Sequence, residues 1–343
     1  MKSYSRINIL YVLLFSLVVF YLLFFNIHWT DDFAVYERDY YNYGDGIINA
    51  IEPGFSIFNI LGLYFNLDFV EFINLSLLIQ IFLFAFLFNK FGVNVFWGLL
   101  FQILLNYVQM ANQIAFHIGL PLMFISYYYF FVDKKKIKGF FLSLIALSFH
   151  SGLLGYAIFI PVLYTIQKQN ITHKKILIYF VLGGIICYSF YSTFAQVFTY
   201  VNADFSSYLL GDKASFYGKL FFMLYPLINI VVIMYGFNRL SKRVLTPKEL
   251  LCYILSSFSV FWLICSFTGI AIINARYVYA FSSLWIIIVL HFRKIKVFRC
   301  GNVTIIFWFL ISYFCKLILG ALILNGPFVD FEKTILIWQS RSF

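Results

Sequence analysis

Glu52 and His150 are the residues of this chain best suited to proton transfer, because each is an ionisable side chain beside apolar ones. His150 lies in the sequence Ser-Phe-His-Ser-Gly at 148–152, and Glu52 stands directly before Pro53. A carboxylate or an imidazole can accept the proton of an attacking hydroxyl group. Ordinary structural roles are also open to both. Glu52 suits the N-cap of a helix that begins at Pro53, and a histidine can bridge two helices.

The segment 28–53 interleaves aromatic and acidic residues, a composition that suits sugars. Aromatic rings pack on the C–H face of a pyranose, while carboxylates bind its hydroxyl groups. Asp39 is a further candidate base, and Arg38 and Tyr40 are candidate substrate-binding residues. The segment 197–219 has a similar composition. A solvated loop with interfacial aromatic residues would have the same composition.

Arg276 and Tyr277 form the break between two long apolar stretches, and we count both as candidate substrate-binding residues. Arginine binds phosphate through a bidentate fork that lysine cannot form. An interfacial arginine that extends its head group toward water is the alternative.

A polar stripe of Asn112, Gln113 and His117 lies within a further apolar stretch. Such residues line a cavity that binds substrate, or they join helices through hydrogen bonds.

The composition is that of a membrane protein. Hydrophobic residues make up 63% of the 343 residues and charged residues 11%, whereas a soluble domain carries about 25% charged residues. The net charge of +11 does not indicate nucleic acid, because lysines hold cytoplasmic loops in place. We predict no metal site and no cofactor, and we interpret the five cysteines as packing residues.

The fold class we predict is all-α, one polytopic membrane domain (1–343) with about ten or eleven crossings of the roughly 30 Å hydrocarbon core plus short re-entrant or interfacial helices. The basic clusters predict a cytoplasmic N-terminus and outer loops at 28–53 and 197–219. The proposed spans are 7–27 (a retained helix and not a cleaved signal), 69–89, 93–109, 113–132, 176–196, 220–239, 250–271, 277–292 and 303–324.

Two segments, 54–66 and 139–166, do not fit a simple crossing. The second runs between two basic clusters and is too short for two full spans, so we predict a short hairpin with its turn near 149–152. The first begins and ends outside, so we predict a re-entrant or interfacial helix. Irregular backbone at membrane depth needs a cavity or protein around it. These segments therefore mark a site, and there we expect Glu52 to be a base of raised pKa.

Four motifs in order give the chain a resemblance to the EpsG/Wzy group of bacterial polysaccharide polymerases, over nearly its whole length. They are Glu52-Pro53-Gly54-Phe55 after the acidic loop, Asn112-Gln113-Ile114, Phe149-His150-Ser151 and Arg276-Tyr277. The chain departs from that group where an Arg-Gln pair is usual, because it has Ala115-Phe116 and then His117. If the arginine of that pair contacts pyrophosphate in relatives, this role falls here to Arg276, Arg38, His117 or a loop lysine.

The resemblance implies metal-independent glycosyl transfer on the periplasmic face of the bacterial inner membrane. The substrates would be glycans linked to undecaprenyl pyrophosphate, and a chain-length regulator is an expected partner. A flippase for the same lipids, an O-antigen ligase and a membrane acyltransferase are the alternatives. The sugars of the repeat unit, the linkage and its configuration stay open, as does the choice of base among Glu52, His150 and Asp39.

Overall fold

A computed structural model describes residues 33–44, 52–169, 173–190, 216–240, 244–268, 277–297 and 301–324. All regular structure in these ranges is helical. The residues fall into two compact units, one up to Thr165 and one from Ile166, and each is described by itself.

The first unit contains α1 to α7 and most of α8. Their bounds are Phe33–Gly44, Pro53–Tyr64, Phe69–Phe91, Val95–Asn112, Ile114–Phe131, Lys136–Phe149, Leu154–Ala157 and Phe159–Gln169. A 3₁₀ turn, Ser151–Leu153, separates α6 from α7.

The second unit contains α9 to α13, together with two 3₁₀ turns at Ser266–Thr268 and Tyr279–Phe281. The helices are His173–Ser189, Phe216–Leu240, Pro247–Cys265, Ser282–Lys294 and Gly301–Leu324.

Four of the described helices are long and apolar enough to cross a membrane. They are α3, α5, α11 and, within α10, Met223–Leu240. This confirms the predicted all-α polytopic class. The predicted number of crossings stays a prediction, as does the single domain.

Local signals in the sequence set the ends of the spanning helices. At the start of α3, Asp68 accepts a hydrogen bond from the backbone N–H of Glu71, whose side chain accepts one in return. Gly92 ends the helix in the left-handed conformation, at φ 71°, which costs glycine little. Reciprocal bonds of this kind satisfy donors that a helix start leaves open.

Helix α5 is the core of the first unit and is buried along nearly its whole length. The side chain of Ser126 donates to the carbonyl of Gly139 on α6 at 2.9 Å. The hydroxyl of Tyr127 donates to the carbonyl of Tyr156 at 2.6 Å. Buried hydroxyl groups need such partners, and these two bonds fix α6 and α7 against α5.

The basic end of α6 is anchored to α3 and α5. The ammonium groups of Lys90 and Lys138 lie 4.5 and 4.6 Å from the ring centre of Tyr129. Lys90 also lies 3.7 Å from a carboxylate oxygen of Asp133. Helix α6 therefore begins in a basic cluster and extends away from it toward His150.

The two segments that did not fit a simple crossing are short helices. Helix α2 has 12 residues, about 18 Å at the usual rise of 1.5 Å per residue, and cannot cross the membrane alone. The helix before His150 ends at Phe149, as predicted for the turn near 149–152. Residues 33–44, predicted as part of a loop, form α1 instead.

In the second unit, Glu249 joins the start of α11 to the end of α12. Its side chain is 2% exposed. One carboxylate oxygen accepts from the backbone N–H and the hydroxyl of Thr246 at 2.8 and 2.9 Å. The other lies 3.1 Å from Nε2 of His291. A buried carboxylate needs this full set of partners.

Replacement Glu249→Ala is expected to lower stability strongly, by about 3–5 kcal/mol, because it removes a buried pair and a helix cap. The matched control is Glu71→Ala, which removes the same residue from the exposed capping box of α3. Thermal unfolding of both variants in detergent measures the difference. An equal loss of stability in the two variants would show that the contact with His291 and the burial of Glu249 add nothing to the helix cap.

Candidate active site

Glu52 and His150 are in direct contact although 97 residues lie between them in the chain. Nδ1 of His150 lies 2.7 Å from Oε1 of Glu52. The backbone N–H and the hydroxyl of Ser151 donate to the same oxygen at 2.9 and 3.0 Å. The side chains of Glu52 and His150 keep exposed fractions of 18% and 11%. The predicted candidates Glu52 and His150 thus meet, together with Ser151, in one mostly buried cluster.

The pKa of Glu52 lies below its ordinary value. Burial disfavours the charged carboxylate, but the hydrogen bond and charge of His150 and the two bonds from Ser151 together outweigh burial. This direction is opposite to the raised pKa that its predicted place in the membrane suggested. Glu52 is therefore a carboxylate at neutral pH, and a carboxylate is a proton acceptor for its neighbour.

The proton between Glu52 and His150 belongs on the imidazole. A carboxylate can only accept, so the 2.7 Å contact requires a proton on Nδ1. The backbone N–H of Gly152 also points at Nδ1, at 3.1 Å. Nδ1 can accept this hydrogen bond only in the tautomer that carries its proton on Nε2. The shorter, charge-assisted bond to Glu52 is the stronger one. It leaves the lone pair of neutral His150 on Nε2, the atom that a base uses.

Two breaks in helical structure bring the cluster together. Glu52 is the N-cap of α2, with Pro53 in the first turn, where a missing N–H costs nothing. His150 has an extended backbone, at φ −152° and ψ 119°, which ends α6 and starts the 3₁₀ turn. In this turn the N–H of Ser151 faces Glu52 and not the carbonyl of a preceding helical turn.

Gly54 allows the start of α2 to reach the end of α6. A Cβ at this position would overlap Oγ of Ser148 and lie 3.0 Å from its backbone carbonyl carbon. A side chain here would therefore push the two helix ends apart. The Pro-Gly sequence after Glu52 thus provides both a helix start and a close approach.

The wall behind His150 is aromatic. The ring of Phe116 meets the His150 ring edge-to-face, with centres 5.4 Å apart, and meets the His117 ring at 5.5 Å. His117 is buried, and its Nδ1 lies 3.2 Å from the carbonyl of Gln113. The side-chain oxygen of Gln113 is buried and has no hydrogen-bond partner among the described residues. Phe116 therefore links the predicted polar stripe to the His150 cluster.

The remaining candidates of the first unit lie elsewhere or have other partners. Asp39 is exposed and pairs with its neighbour Arg38 at 3.3 Å. Tyr40 is fully buried and donates to the carbonyl of Leu67 at 2.9 Å, so it packs the core and burial raises its pKa to about 12. Asn112 is the last residue of α4.

In the second unit, Tyr277 stacks on Trp262, with ring centres 4.2 Å apart and planes 13° from parallel. Arg276 and most of the segment 197–219 lie outside the described residues.

Ser151 and Phe116 are functional candidates that sequence reasoning missed. Ser151 lies in the motif that drew attention to His150, but nothing in the chain indicates that both of its donors face Glu52. Phe116 occupies the place of an expected polar pair and reads as an ordinary apolar residue. Only the packing of α5 against the end of α6 gives it a role.

Comparison with known families identifies the family to which the chain belongs. The model of the EpsG family matches residues 8–332. The chain belongs to the EpsG family. This membership suggests a polysaccharide-polymerase-like function, and the apolar helices indicate a membrane protein. No curated protein and no solved structure matches this EpsG-family chain.

Replacement Gly54→Ala is expected to separate Glu52 from Ser151 and His150 and to abolish function in the cell. The matched control is Gly44→Ala, where the added Cβ meets only Leu63 Cδ1 at 3.7 Å, an ordinary contact. Polysaccharide length on a gel, in a deletion strain that carries each variant, measures function, and a membrane immunoblot measures folded protein. Full function of Gly54→Ala would show that the close approach is not required.

Acid is expected to remove the stabilising effect of the Glu52 contacts. The folded pKa lies below the ordinary 4.5, so the contribution is present above that value and is lost as the pH falls through the lowered folded pKa. The difference in melting temperature between the wild type and Glu52→Gln should therefore shrink below pH 4.5. Thermal unfolding in detergent at neutral and acid pH tests this, and a constant difference would contradict it.

Proposed function

We propose that this protein polymerises oligosaccharide repeat units that are linked to undecaprenyl pyrophosphate, on the outer face of the bacterial inner membrane. The proposal combines the family membership with one observation, the Glu52–His150 contact at 2.7 Å. A paired carboxylate and imidazole form a general base, and glycosyl transfer to a hydroxyl group needs one.

In the proposed reaction, a hydroxyl oxygen of the acceptor sugar attacks the anomeric carbon of the donor glycan. The bond from that carbon to the pyrophosphate oxygen breaks, and the pyrophosphate takes the bonding electrons. The hydroxyl proton passes to the enzyme. The products are a glycan longer by one repeat unit and free undecaprenyl pyrophosphate.

His150 accepts that proton at Nε2 in this mechanism. Glu52 holds the Nδ1 proton, and the described residues supply no hydrogen-bond partner for Nε2. After transfer the ring is an imidazolium, which the Glu52 carboxylate stabilises at 2.7 Å. This is the division of labour of a carboxylate–histidine pair in hydrolases, where the carboxylate sets the tautomer and does not itself take the proton.

The second carboxylate oxygen of Glu52 is suited to substrate binding. Its three contacts all involve Oε1, and Oε2 has no partner in the part of the chain that the structure describes. We assign Oε2 to a hydroxyl group of the acceptor sugar. Glu52 would then orient both the base and the acceptor.

The location of the cluster favours the outer face. Helix α6 begins in the lysine cluster at Lys136 and ends at Phe149, so the candidate site is at its opposite end, about 20 Å away. Lysine-rich ends of membrane segments stay in the cytoplasm. The site therefore belongs to the opposite, periplasmic side in this proposal.

The lipid parts of the substrates would lie against α2 and α6. Both helices expose large apolar side chains, among them Ile57, Leu61, Phe140 and Leu144, and their ends meet at Gly54. A polyprenyl chain along these faces would bring its pyrophosphate toward the cluster. Arg276 is the proposed cation for the departing pyrophosphate, since charge that develops in the transition state gains most from a fixed cation.

Replacements Glu52→Gln and His150→Gln are each expected to lower the polymerisation rate by about 10²–10⁴-fold. A glutamine at position 52 carries no negative charge, so it cannot stabilise the imidazolium that forms when His150 takes the proton. The measurement is chain elongation by purified protein on lipid-linked repeat units. Asp39→Asn and Glu71→Gln, which alter exposed carboxylates, are controls expected to keep activity.

A gene deletion separates the proposed function from its rivals. Loss of a polymerase leaves single repeat units on the lipid anchor. Loss of a flippase leaves no repeat units on the outer side. Loss of a ligase leaves full-length chains on undecaprenyl pyrophosphate. Either of the last two results would overturn the proposal, and full chain length in Arg276→Lys would remove the bidentate role of that arginine.

A further inference from the structure

We propose that Cys187 and Cys265 form a disulfide bond that joins helices α9 and α11 near the outer surface of the membrane. Cys187 is two residues before the end of α9, and Cys265 is the last residue of α11. The inference is independent of the proposed polymerase reaction.

The two cysteines already pack against each other. Cys187 packs against Cys265, which is 3% exposed. Both cysteines are present as free thiols in the structure. Two cysteines packed together differ from a single buried cysteine, which serves as a small apolar residue.

The backbones of α9 and α11 also approach each other closely beside the two cysteines. A Cβ added at Gly184 would lie 3.1 Å from Cβ of Ile264 and 3.2 Å from the carbonyl oxygen of Phe261. Ile264 is adjacent to Cys265, and Gly184 is one helical turn before Cys187. Disulfides require Cβ atoms about 3.5–4.5 Å apart, and only helices in near-contact present such pairs.

The charges at the opposite ends of both helices place the pair on the outer side. Helix α9 begins with His173, Lys174 and Lys175, and α11 begins with Pro247 and Lys248. Lysines at membrane ends face the cytoplasm. The ends that carry Cys187 and Cys265 then lie on the opposite side, where disulfides form and persist.

The bond forms by exchange with the disulfide of a thiol oxidase that acts outside the cytoplasm. One cysteine thiolate attacks that disulfide to give a mixed disulfide, and the second thiolate displaces the oxidase sulfur. The two cysteines lose two protons and two electrons and gain an S–S bond. The oxidase disulfide takes up both electrons and both protons and becomes two thiols.

The disulfide would fix an aromatic cluster whose members lie on both sides of Arg276 in the sequence. Phe261, Trp262 and Tyr277 pack against Cys265 together with Cys187, and Tyr277 stacks on Trp262. Linking α9 to the end of α11 restrains this stack on one side. The effect expected in Cys187→Ser is a lower melting temperature of the membrane-extracted protein.

Differential alkylation of the full-length protein in cells tests the proposal. Cells that possess an outer thiol oxidase are quenched with acid, free thiols are blocked with N-ethylmaleimide under denaturing conditions, and a deuterated maleimide is added after reduction. We expect peptides of Cys187 and Cys265 to carry the second label. Cys252 is the matched control, because it is buried on the same helix α11 near Lys248, and it should carry the first label.

The variant Cys187→Ser should transfer Cys265 to the first label and leave Cys252 unchanged. First label on both Cys187 and Cys265 in the wild type overturns the proposal, and this result does not depend on how any variant folds. Second label that persists on Cys265 in Cys187→Ser also overturns it, since Cys265 would then have another partner. Neither result depends on chain elongation, so the disulfide proposal and the polymerase proposal can be overturned independently of each other.

Discussion

The contact between Glu52 and His150 ties together three elements of the first unit. A partly buried carboxylate keeps its charge only when donors replace the water it has lost. Here an imidazole, a backbone N–H and a hydroxyl supply them, all from residues 150 and 151. The end of α6, the 3₁₀ turn after it and the start of α2 must therefore hold one another in place. Any shift of one element leaves a charge without a partner.

Close backbone approach is the condition that makes this contact possible. At Gly54 and at Gly119, an added Cβ would collide with the C-terminal part of α6 or with the residues that follow it. Helices in a membrane gain little from the hydrophobic effect between them, so small residues at their interfaces give close packing. The same device recurs in the second unit, where Gly184 lies against Phe261 and Ile264. The two units are thus built by one packing principle and differ in the chemistry placed on it.

The sequence predicts the helices well because hydrophobic length and charge are strong signals. Helix α3 begins where predicted, at Phe69, since Asp68 and Glu71 make a recognisable cap. The break at His150 was predictable from an apolar stretch too short to cross twice. By contrast, α1 was predicted as loop because its aromatic and acidic residues show no apolar run. Within the apolar stretch predicted as a span at 250–271, the regular α-helix ends at Cys265. Hydropathy does not reveal this helix end.

The candidate site was predictable in its members and not in its chemistry. The types of Glu52 and His150 and their irregular surroundings marked both residues, but pairing across the chain depends on how α2 meets α6. The burial of Tyr40 followed from the formation of α1, which was not foreseen. The lowered pKa of Glu52 was beyond sequence reasoning for the same reason. Burial alone would raise the pKa, and the donors that reverse the direction come from the other side of the contact.

The two donors of Ser151 have unequal consequences for evolution. One of them is a backbone N–H, which every residue except proline provides, whereas a hydroxyl on the β-carbon belongs to serine and threonine alone. Drift at position 151 can therefore remove one donor to Glu52 without removing the other. Position 54 has no such latitude, since any side chain there meets Ser148. Among relatives of this chain, the glycine that touches no reacting atom should be more constant than the serine that touches the carboxylate.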